Sequence, residues 1–305
     1  MKKDLLSVAD LDRAQAEELI EQALVMKQGG MRCLLPWRSV ALLFEKPSLR
    51  TRVSFDVAVA QLGGHCLYLS PQEVGLGQRE PVSDVARVLS RYVDCIVARV
   101  FSHDTLVALA QSATISVINA LSDLEHPCQA LADFLTIRER KGGLAGVRLA
   151  YVGDGNNVAR SLALLSAMMG VNFTIASPRG YELDAATASI ARRMAAAAAS
   201  RIVLTEDPVE AVEAADVVYT DTWTSMGQEA ESAIRREAFA RFQVNSALMA
   251  HAHQDALFMH CLPAHHGEEV TSDVLNGESS VVFDQAENRL HVQKAILAQI
   301  LIPAD

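Results

Sequence analysis

The sequence predicts an α/β protein with two doubly wound parallel-sheet domains. Short apolar segments alternate with segments of helical periodicity along nearly the whole chain, and the alternation runs in two successive series. The glycine-rich stretch 141–146 separates the two series. Short apolar strands that alternate with helices form parallel sheets, so each series predicts one doubly wound domain.

The elements can be placed in order along the chain. In the first series we predict strands near 40–44, 65–69, 95–100 and 115–119, alternating with helices near 52–62, 82–92, 104–112 and 127–140. In the second series we predict strands near 148–152, 173–176, 202–204, 217–220 and 256–260, with helices near 158–169, 185–199, 209–214 and 286–301. The predicted domains are 1–140 and 141–285, with 286–305 packing back on the first.

Composition limits the class of protein. The 305 residues are 50% hydrophobic and 21% charged, as in ordinary globular proteins, and the formal net charge of -10 argues against a nucleic-acid partner. No apolar run reaches the roughly 18 residues that a membrane span needs, and the N-terminus is too polar for a secretory signal. The five cysteines are scattered, without a C-x-x-C pair, which predicts reduced thiols in the cytoplasm rather than disulfides or a zinc site.

The most informative motif is Phe-Glu-Lys-Pro-Ser-Leu-Arg-Thr-Arg at 44–52, where a predicted strand turns into a predicted helix. Ser48 is a good N-cap, and a helix N-terminus offers unpaired N–H groups to an anion. Arg50 and Arg52 oppose the helix dipole there, a conflict that a bound dianion would remove. The alternative is a capped surface helix with solvated arginines.

Further polar clusters follow other predicted strands. In open parallel sheets ligands bind beyond the carboxyl ends of the strands, and repeated polar clusters at those ends predict one active site in the cleft between the two domains. The clusters are Arg99, His126 to Gln129, Gly153 to Asn157, Asp221 to Gly227, and His260 to Pro263.

Several of these residues have ordinary structural explanations. Gly153-Asp-Gly155 lacks the third glycine of a dinucleotide fingerprint, because Val158 stands there, so it is either a helix-capping turn or a turn that also contacts a ligand. His126 before Pro127 could be a packing residue. Asp221 belongs either to an exposed loop or to an acidic pocket for a cationic ligand.

His260-Cys261 raises two other possibilities, a metal site or a nucleophile. Other histidines lie nearby in sequence, but no H-E-x-x-H helix motif is present. Adjacent residues also rarely orient towards each other as a Cys–His dyad requires. We therefore expect no metal and no organic cofactor.

Together these motifs resemble the ornithine carbamoyltransferase family. Ser48-Leu-Arg-Thr-Arg52 and His126-Pro-Cys-Gln129 are similar to motifs of carbamoyltransferases in general. Asp221-Thr-Trp-Thr-Ser-Met-Gly227 and His260-Cys-Leu-Pro263 are similar to motifs of the ornithine-using branch. The resemblance covers nearly the whole chain, in the expected order and spacing.

The resemblance implies the transfer of a carbamoyl group from carbamoyl phosphate to the δ-amine of L-ornithine, which gives L-citrulline and phosphate in arginine biosynthesis. It implies that carbamoyl phosphate is bound by Ser48, Leu49, Arg50, Thr51, Arg99, His126, Gln129 and Arg289. It implies that ornithine is bound by Asn157, Asp221, Ser225, Met226, Cys261 and Leu262. Of these, the resemblance gives catalytic roles to Arg99, His126, Cys261 and Arg289.

The resemblance also implies an assembly of trimers or multiples of trimers. Two positions depart from the family pattern. Leu49 replaces a common threonine whose contact is mainly through its backbone. Gly75 replaces a glutamine or histidine that in relatives reaches the phosphate of a neighbouring subunit, so we expect that contact to be missing.

Other functions are alternatives to this one. The nearest is a carbamoyltransferase that acts on another amine, such as putrescine or an acylated ornithine. Aspartate is disfavoured, because its carboxylates need basic partners and Ala264, not arginine, follows Pro263. A non-catalytic anion-binding protein would not require the motifs of the second domain, and an oxidoreductase would require the missing glycine.

Overall fold

The structure, a computed structural model, describes residues 3–30, 33–225 and 227–302. The chain forms two compact units. The first comprises Met1–Leu135 and Glu287–Asp305, and the second comprises Thr136–Ala286. Both units are α/β, and both sheets are entirely parallel, which confirms the predicted fold class.

The first unit contains a four-stranded sheet with the order β2-β1-β3-β4. Its strands are β1 Ser39–Phe44, β2 His65–Leu69, β3 Cys95–Arg99 and β4 Ser116–Leu121. β1 and β3 are buried on both faces, as parallel strands covered by helices are. On one face, Leu43 and Ile96 pack against Leu106 and Leu109.

Among the described residues of this part of the chain, six α-helices begin: α1 Arg13–Lys27, α2 Leu49–Gln61, α3 Pro71–Val74, α4 Val82–Leu89, α5 His103–Ser112 and α6 Pro127–Lys141. α2 begins at Leu49 because Ser48 caps it, its hydroxyl oxygen accepting from the Thr51 N–H at 3.3 Å. Such a cap contributes about 1 kcal/mol. The predicted cap is confirmed, and the helix begins three residues before the predicted bound.

The second unit contains a five-stranded sheet with the order β7-β6-β5-β8-β9. Its strands are β5 Arg148–Val152, β6 Asn172–Ala176, β7 Ile202–Thr205, β8 Val217–Thr220 and β9 Leu257–His260. The aromatic part of its core lies around Phe239, whose ring stacks on Trp223 with centroids 5.8 Å apart and meets Tyr181 at 4.9 Å.

The remaining helices are α7 Asn157–Met169, α8 Ala185–Ala197, α9 Pro208–Val212, α10 Ser232–Phe239, α11 Ser246–Met249, α12 Ser272–Leu275 and α13 Val282–Leu301. α7 ends at Gly170, whose φ of 75° closes the helix in the left-handed conformation that glycine adopts without strain. The boundary between the two units falls inside α6 and again inside α13.

Several elements differ from the sequence prediction. Five helices were not predicted: α1, α3, α10, α11 and α12. α13 begins at Val282, four residues before the predicted start, and α4 ends at Leu89 rather than near 92. Among the described residues, no helix combines the length and the apolar character needed to cross a membrane.

Candidate active site

Both sheets place polar residues at a topological switch point. In the first unit the connection from β1 runs to β2 on one side, whereas the connection from β3 runs to β4 on the other, so the crevice opens between the carboxyl ends of β1 and β3. β1 leads into the segment that carries Ser48, and β3 ends at Arg99, which lies opposite Phe44 in the sheet.

The second unit repeats this arrangement. Its strand order reverses between β5 and β8. β5 leads into Gly153 and the following turn, and β8 leads into Asp221. The motifs that the sequence predicts to bind ligands thus lie at the switch point of each sheet, where open α/β sheets bind their ligands.

In the first unit, α13 returns an arginine to the N-terminus of α2. Arg289 donates from Nη2 to the Thr51 hydroxyl at 2.6 Å and from Nη1 to the Gln129 side-chain oxygen at 2.8 Å. Gln129 in turn donates to the Asp133 carboxylate at 2.8 Å. All four side chains are buried, so the guanidinium is held in a fixed orientation.

His126 lies among positive charges in this unit. It is 4% exposed and directly precedes α6. Burial, together with the charges of Arg289 and Arg99, lowers the pKa of His126 well below its usual 6.5. The imidazole is therefore neutral near pH 7, where it can donate one hydrogen bond without adding a third positive charge.

We call Thr51, Arg99, His126, Gln129 and Arg289 the cationic cluster. Beside it, Leu49 is 78% exposed and Arg50 is half-buried, both in the first turn of α2. Arg52 points elsewhere, since its guanidinium stacks on the Tyr68 ring at 3.8 Å from the centroid. The two arginines of the motif therefore differ in their surroundings: among the described contacts, Arg52 stacks on an aromatic ring and Arg50 does not.

Lys46 is a basic residue that the sequence prediction did not single out. It lies in the connection between β1 and α2, is 9% exposed, and holds its ammonium 4.5 Å from the centre of the Phe101 ring. The sequence could have indicated Lys46 as a candidate site residue, because it lies in the same motif as Ser48.

In the second unit, Asp221 collects three donors. Its carboxylate accepts from Asn156 Nδ2 at 2.9 Å, from the Cys261 thiol at 3.0 Å and from the Thr222 N–H at 2.8 Å. Asp221 is 6% exposed. We call Asn156, Asp221 and Cys261 the acidic cluster. The structure therefore brings together Asp221 and Cys261, which the sequence prediction named from motifs 40 residues apart.

Asn156 is a site residue that the sequence prediction did not single out. Its side-chain oxygen caps α7 by accepting from the N–H groups of Val158 and Ala159, at 2.9 and 3.1 Å, while its amide holds Asp221. The predicted capping role of the Gly153–Asn157 turn is confirmed. Asn157, the predicted residue, is the half-buried first residue of α7.

Gly155 explains why this turn needs glycine. A Cβ built there would lie 2.3 Å from the Leu183 backbone nitrogen and 2.5 Å from the Glu182 carbonyl oxygen. Because backbone atoms cannot move aside cheaply, any larger residue would displace the turn that carries Asn156.

The segment 260–263 is anchored by a buried pair. His260 Nδ1 accepts from the Leu262 N–H at 2.8 Å, which leaves the proton on Nε2 to face the Glu269 carboxylate at 3.2 Å. Burial tends to raise the pKa of Glu269, but hydrogen bonds from His260 and His265 outweigh it, and the pKa falls below its ordinary value. The pair fixes Leu262, whose φ is 56° and whose peptide bond to Pro263 is cis.

Asp221, His260 and Cys261 also lie close enough together to hold a metal ion. The hydrogen bonds account for these atoms in another way, because the Cys261 thiol donates to Asp221 and His260 Nδ1 accepts a backbone N–H.

The loop after Trp223 is fixed by a buried arginine. Arg235 donates to the Trp223 carbonyl at 3.0 Å and to the Asp154 carboxylate at 2.8 Å, and thereby joins this loop to the turn after β5. Ser225 is half-buried, and its N–H donates to Gln228 at 3.2 Å. Met226, also predicted as a site residue, lies outside the described residues.

Fold and site define a class of two-domain α/β transferases, and two family models match the two parts of the chain. Residues 3–139 match the aspartate/ornithine carbamoyltransferase carbamoyl-P binding domain. Residues 145–300 match the aspartate/ornithine carbamoyltransferase Asp/Orn binding domain. The chain belongs to the aspartate/ornithine carbamoyltransferase family.

Individual relatives carry a narrower name. The anabolic ornithine carbamoyltransferase of Pyrococcus furiosus is 52% identical over 98% of this chain and 96% of its own length. A solved structure of ornithine carbamoyltransferase from the same organism has a TM-score of 0.96 at 51% identity, covering 100% of this chain and 98% of that one. The ornithine carbamoyltransferase of Bacillus subtilis is 52% identical over 98% and 94% of the two chains. A structure of N-acetyl-L-ornithine transcarbamylase matches at 33% identity, with a TM-score of 0.89 and coverage of 98% and 99%.

Proposed function

We propose that this enzyme transfers the carbamoyl group of carbamoyl phosphate to the δ-amine of L-ornithine, giving L-citrulline and phosphate. The observation that carries the proposal is a pair of sites of opposite character, each at the switch point of its sheet: the buried cationic cluster and the acidic cluster around the buried Asp221. The relatives named ornithine carbamoyltransferase, at 51–52% identity, support the choice of substrates.

In the first unit, the first turn of α2 is the proposed phosphate site. Ser48, the backbone of Leu49, Arg50 and Thr51 lie where unpaired N–H groups and the positive end of the helix dipole favour a dianion. Because charge on the phosphate grows as it leaves, these contacts strengthen in the transition state. Arg289 orients Thr51 for this role through its 2.6 Å hydrogen bond.

The carbamoyl group is assigned to Arg99, His126, Gln129 and Arg289. The carbonyl oxygen gains negative charge when an amine attacks, so fixed cationic and neutral donors lower the barrier. A neutral His126 suits this position, since it donates a hydrogen bond while the two arginines supply the charge.

In the second unit, the acidic cluster and its neighbours are assigned to ornithine. Asp221 pairs with the α-ammonium, and Asn157 and Ser225 hold the amino-acid end, together with Met226. Cys261 and the backbone of Leu262 lie beside the reacting δ-amine. Asn156, which holds the Asp221 carboxylate at 2.9 Å, keeps the acidic group in place.

The chemical step balances without a further reactant. The lone pair of the neutral δ-nitrogen forms the new C–N bond to the carbamoyl carbon. The bond from that carbon to the phosphate oxygen then breaks, and the proton lost by the nitrogen is, overall, gained by the released phosphate. Free ornithine's δ-amine titrates near pH 10.4, like lysine, so only about one molecule in a thousand is reactive near pH 7.4.

Assembly and location are further proposals. A trimer, or a multiple of trimers, follows from the family resemblance and from the preference of homo-oligomers for closed symmetry. Gly75, which ends α3 in the left-handed conformation, offers no side chain to a neighbouring phosphate. All five cysteines are free thiols, which supports a reducing compartment such as the cytoplasm. The relative named anabolic supports the biosynthetic direction.

A carbamoyltransferase acting on an acylated ornithine is the second candidate. The likeness to N-acetyl-L-ornithine transcarbamylase favours it, at lower identity than the likeness to the enzymes named for ornithine. Acylation removes the α-ammonium charge, so Asp221 would lose the cation that we assign to it.

A citrulline assay tests the proposal. Purified enzyme is given carbamoyl phosphate with ornithine, N-acetylornithine, putrescine or aspartate, each at several concentrations. We expect ornithine to have the highest kcat/KM, by about 100-fold or more, because only it carries both the α-charges and the distal amine. Preference for any other amine, or no product from ornithine, refutes the proposal.

A further inference from the structure

The N-terminal segment 4–10 adds one residue of pairing to the first sheet. Leu5 pairs in parallel with Ile118 of β4, its N–H donating to the Val117 carbonyl at 3.0 Å and its carbonyl accepting from the Asn119 N–H at 2.8 Å. Asp4 accepts from the Val117 N–H at 2.8 Å. The segment is therefore fixed to the strand whose carboxyl end leads to His126.

Glu125 connects this segment directly to the residue before His126. It is 1% exposed, and its two carboxylate oxygens accept from the Ser7 hydroxyl at 2.6 Å and from the Val8 N–H at 2.9 Å. Ser7 itself caps the 3-10 turn Val8–Asp10, with Asp10 completing a capping box. Both oxygens of a buried carboxylate thus bind one preformed turn.

The backbone of Glu125 is fixed from the other side. Its N–H donates to the Ser122 hydroxyl at 3.2 Å, and its carbonyl accepts from the Ser122 N–H at 3.0 Å. The Ser122 hydroxyl also contacts His103 Nδ1 at 2.9 Å. The turn Ser122–Glu125 is therefore held between α5 and the N-terminal segment, and it delivers His126 to the start of α6.

We propose that the N-terminal segment 4–10 positions His126 through Glu125, which makes Glu125 a positioning residue for carbamoyl transfer. The inference rests on the proposed function, because a displacement of His126 matters only if this side chain faces the carbamoyl group. A buried carboxylate that loses its donors pulls its turn towards water. A misplacement of about 1 Å at a reacting group costs on the order of 100-fold in rate.

The test combines Glu125→Gln, Ser7→Ala and the double variant. Glutamine keeps the size of the side chain and one acceptor but presents an NH₂ group to one of the two donors. We expect Glu125→Gln to lower kcat/KM for carbamoyl phosphate about 10- to 100-fold and Ser7→Ala about 3- to 10-fold, with KM for ornithine within about threefold. Because both act through one contact, the double variant should match Glu125→Gln within about twofold.

Asp12→Ala serves as the control for general destabilisation. Asp12 caps α1, in the same unit, by accepting from the Gln15 N–H at 2.8 Å, and no described contact joins it to Glu125. It should lower the melting temperature comparably while leaving kcat/KM unchanged. In ¹⁵N-histidine spectra, the His126 imidazole signals should shift in Glu125→Gln and Ser7→Ala but not in Asp12→Ala.

The inference is overturned if Glu125→Gln leaves both kcat/KM and the His126 signals unchanged. It is also overturned if the double variant loses the product of the two single-variant effects, because the two residues would then act independently. If the wild-type enzyme forms no citrulline, the proposed function fails separately. The His126 spectra and calorimetric binding of carbamoyl phosphate then still decide whether Glu125 positions His126.

Discussion

The cationic cluster and the acidic cluster occupy the same place in their sheets but are built in different ways. In the cationic cluster, Arg289 bonds to Thr51 and Gln129 across 238 and 160 residues of chain. In the acidic cluster, Asp221 bonds to Asn156 and Cys261 across 65 and 40 residues. The cationic cluster depends on α13, which brings Arg289 back to the first unit near the end of the chain. The acidic cluster uses only residues that follow β5, β8 and β9, which are neighbouring strands of one sheet.

The two clusters also differ in charge. Burial, and after it the charges of Arg289 and Arg99, lower the pKa of His126, so a neutral imidazole lies in a positive environment. Asp221 instead offers a buried carboxylate that is held by neutral donors. One fold can thus present positive side chains at one switch point and a carboxylate at the other, through residues at the strand ends and, in the first unit, through Arg289 of α13.

Removing the charge of the acidic cluster should have the largest effect. We expect Asp221→Asn to lower kcat/KM for ornithine about 1,000-fold, since a buried partner of a charged group is worth roughly 2–5 kcal/mol. Affinity for carbamoyl phosphate, measured by calorimetry, should stay within about threefold. Asp216→Asn is the matched control, because Asp216 lies just before the amino end of the same strand, where it accepts from the Arg148 N–H at 2.8 Å. Equal losses for both substrates would remove the distinction between the clusters.

Arg50→Ala tests the proposed phosphate site in the first turn of α2, beside the cationic cluster. We expect turnover at saturating carbamoyl phosphate to fall about 100- to 1,000-fold, because a charge-assisted contact to a leaving phosphate contributes roughly 2–4 kcal/mol in the transition state. Arg52→Ala, in the same helix, should stay within about threefold, as its guanidinium is stacked on Tyr68. Steady-state assays of both variants measure these effects, and normal turnover in the Arg50→Ala enzyme would exclude Arg50 from the phosphate site.

Cys261→Ala should have a smaller effect, confined to ornithine. We expect KM for ornithine to rise about tenfold, because the thiol that donates to Asp221 at 3.0 Å is lost. In the wild type, the apparent KM for ornithine should fall as pH rises from about 6.5 to about 8.5, since the neutral δ-amine becomes more abundant. Cys33→Ala, an exposed thiol in the other unit, is the control. A flat pH profile, or an unaffected Cys261→Ala enzyme, would contradict this assignment.

The smallest expected effect is a pH dependence of stability that is specific to His126. Its pKa is lowered in the folded state, so below about pH 6.5 the unfolded chain binds a proton that the native protein does not. The free energy of unfolding should therefore fall as pH drops from about 6.5, by up to about 1.4 kcal/mol per pH unit from this group. Urea titrations at pH 7.5, 6.5 and 5.5 should show a shallower decline for His126→Gln than for wild type.

Much of the fold could be predicted because its signals are local. Alternating apolar strands and helices gave all nine strands of the described residues to within about two residues at each end, and Ser48 marked the start of α2. α1 escaped prediction although its cap, Asp12, and its glutamine at the third helical position form a readable capping box. α13 begins early because Val282, its first residue, is already buried in the core of the second unit.

The site was only partly predictable. The sequence by itself determined the two parallel sheets and the motifs at their carboxyl ends, since strand ends, caps and polar clusters depend on neighbours a few residues apart. Only the tertiary structure decided which residues hold those motifs in place: Arg289 on Thr51, Asn156 on Asp221, His260 on Glu269, and Glu125 on Ser7. None of these four contacts joins residues of one helix or strand, where a periodicity of 2 or 3.6 could relate them, and even the shortest separation, nine residues between His260 and Glu269, crosses a loop. Buried polar groups need hydrogen-bond partners, and which groups become partners depends on how distant parts of the chain pack together.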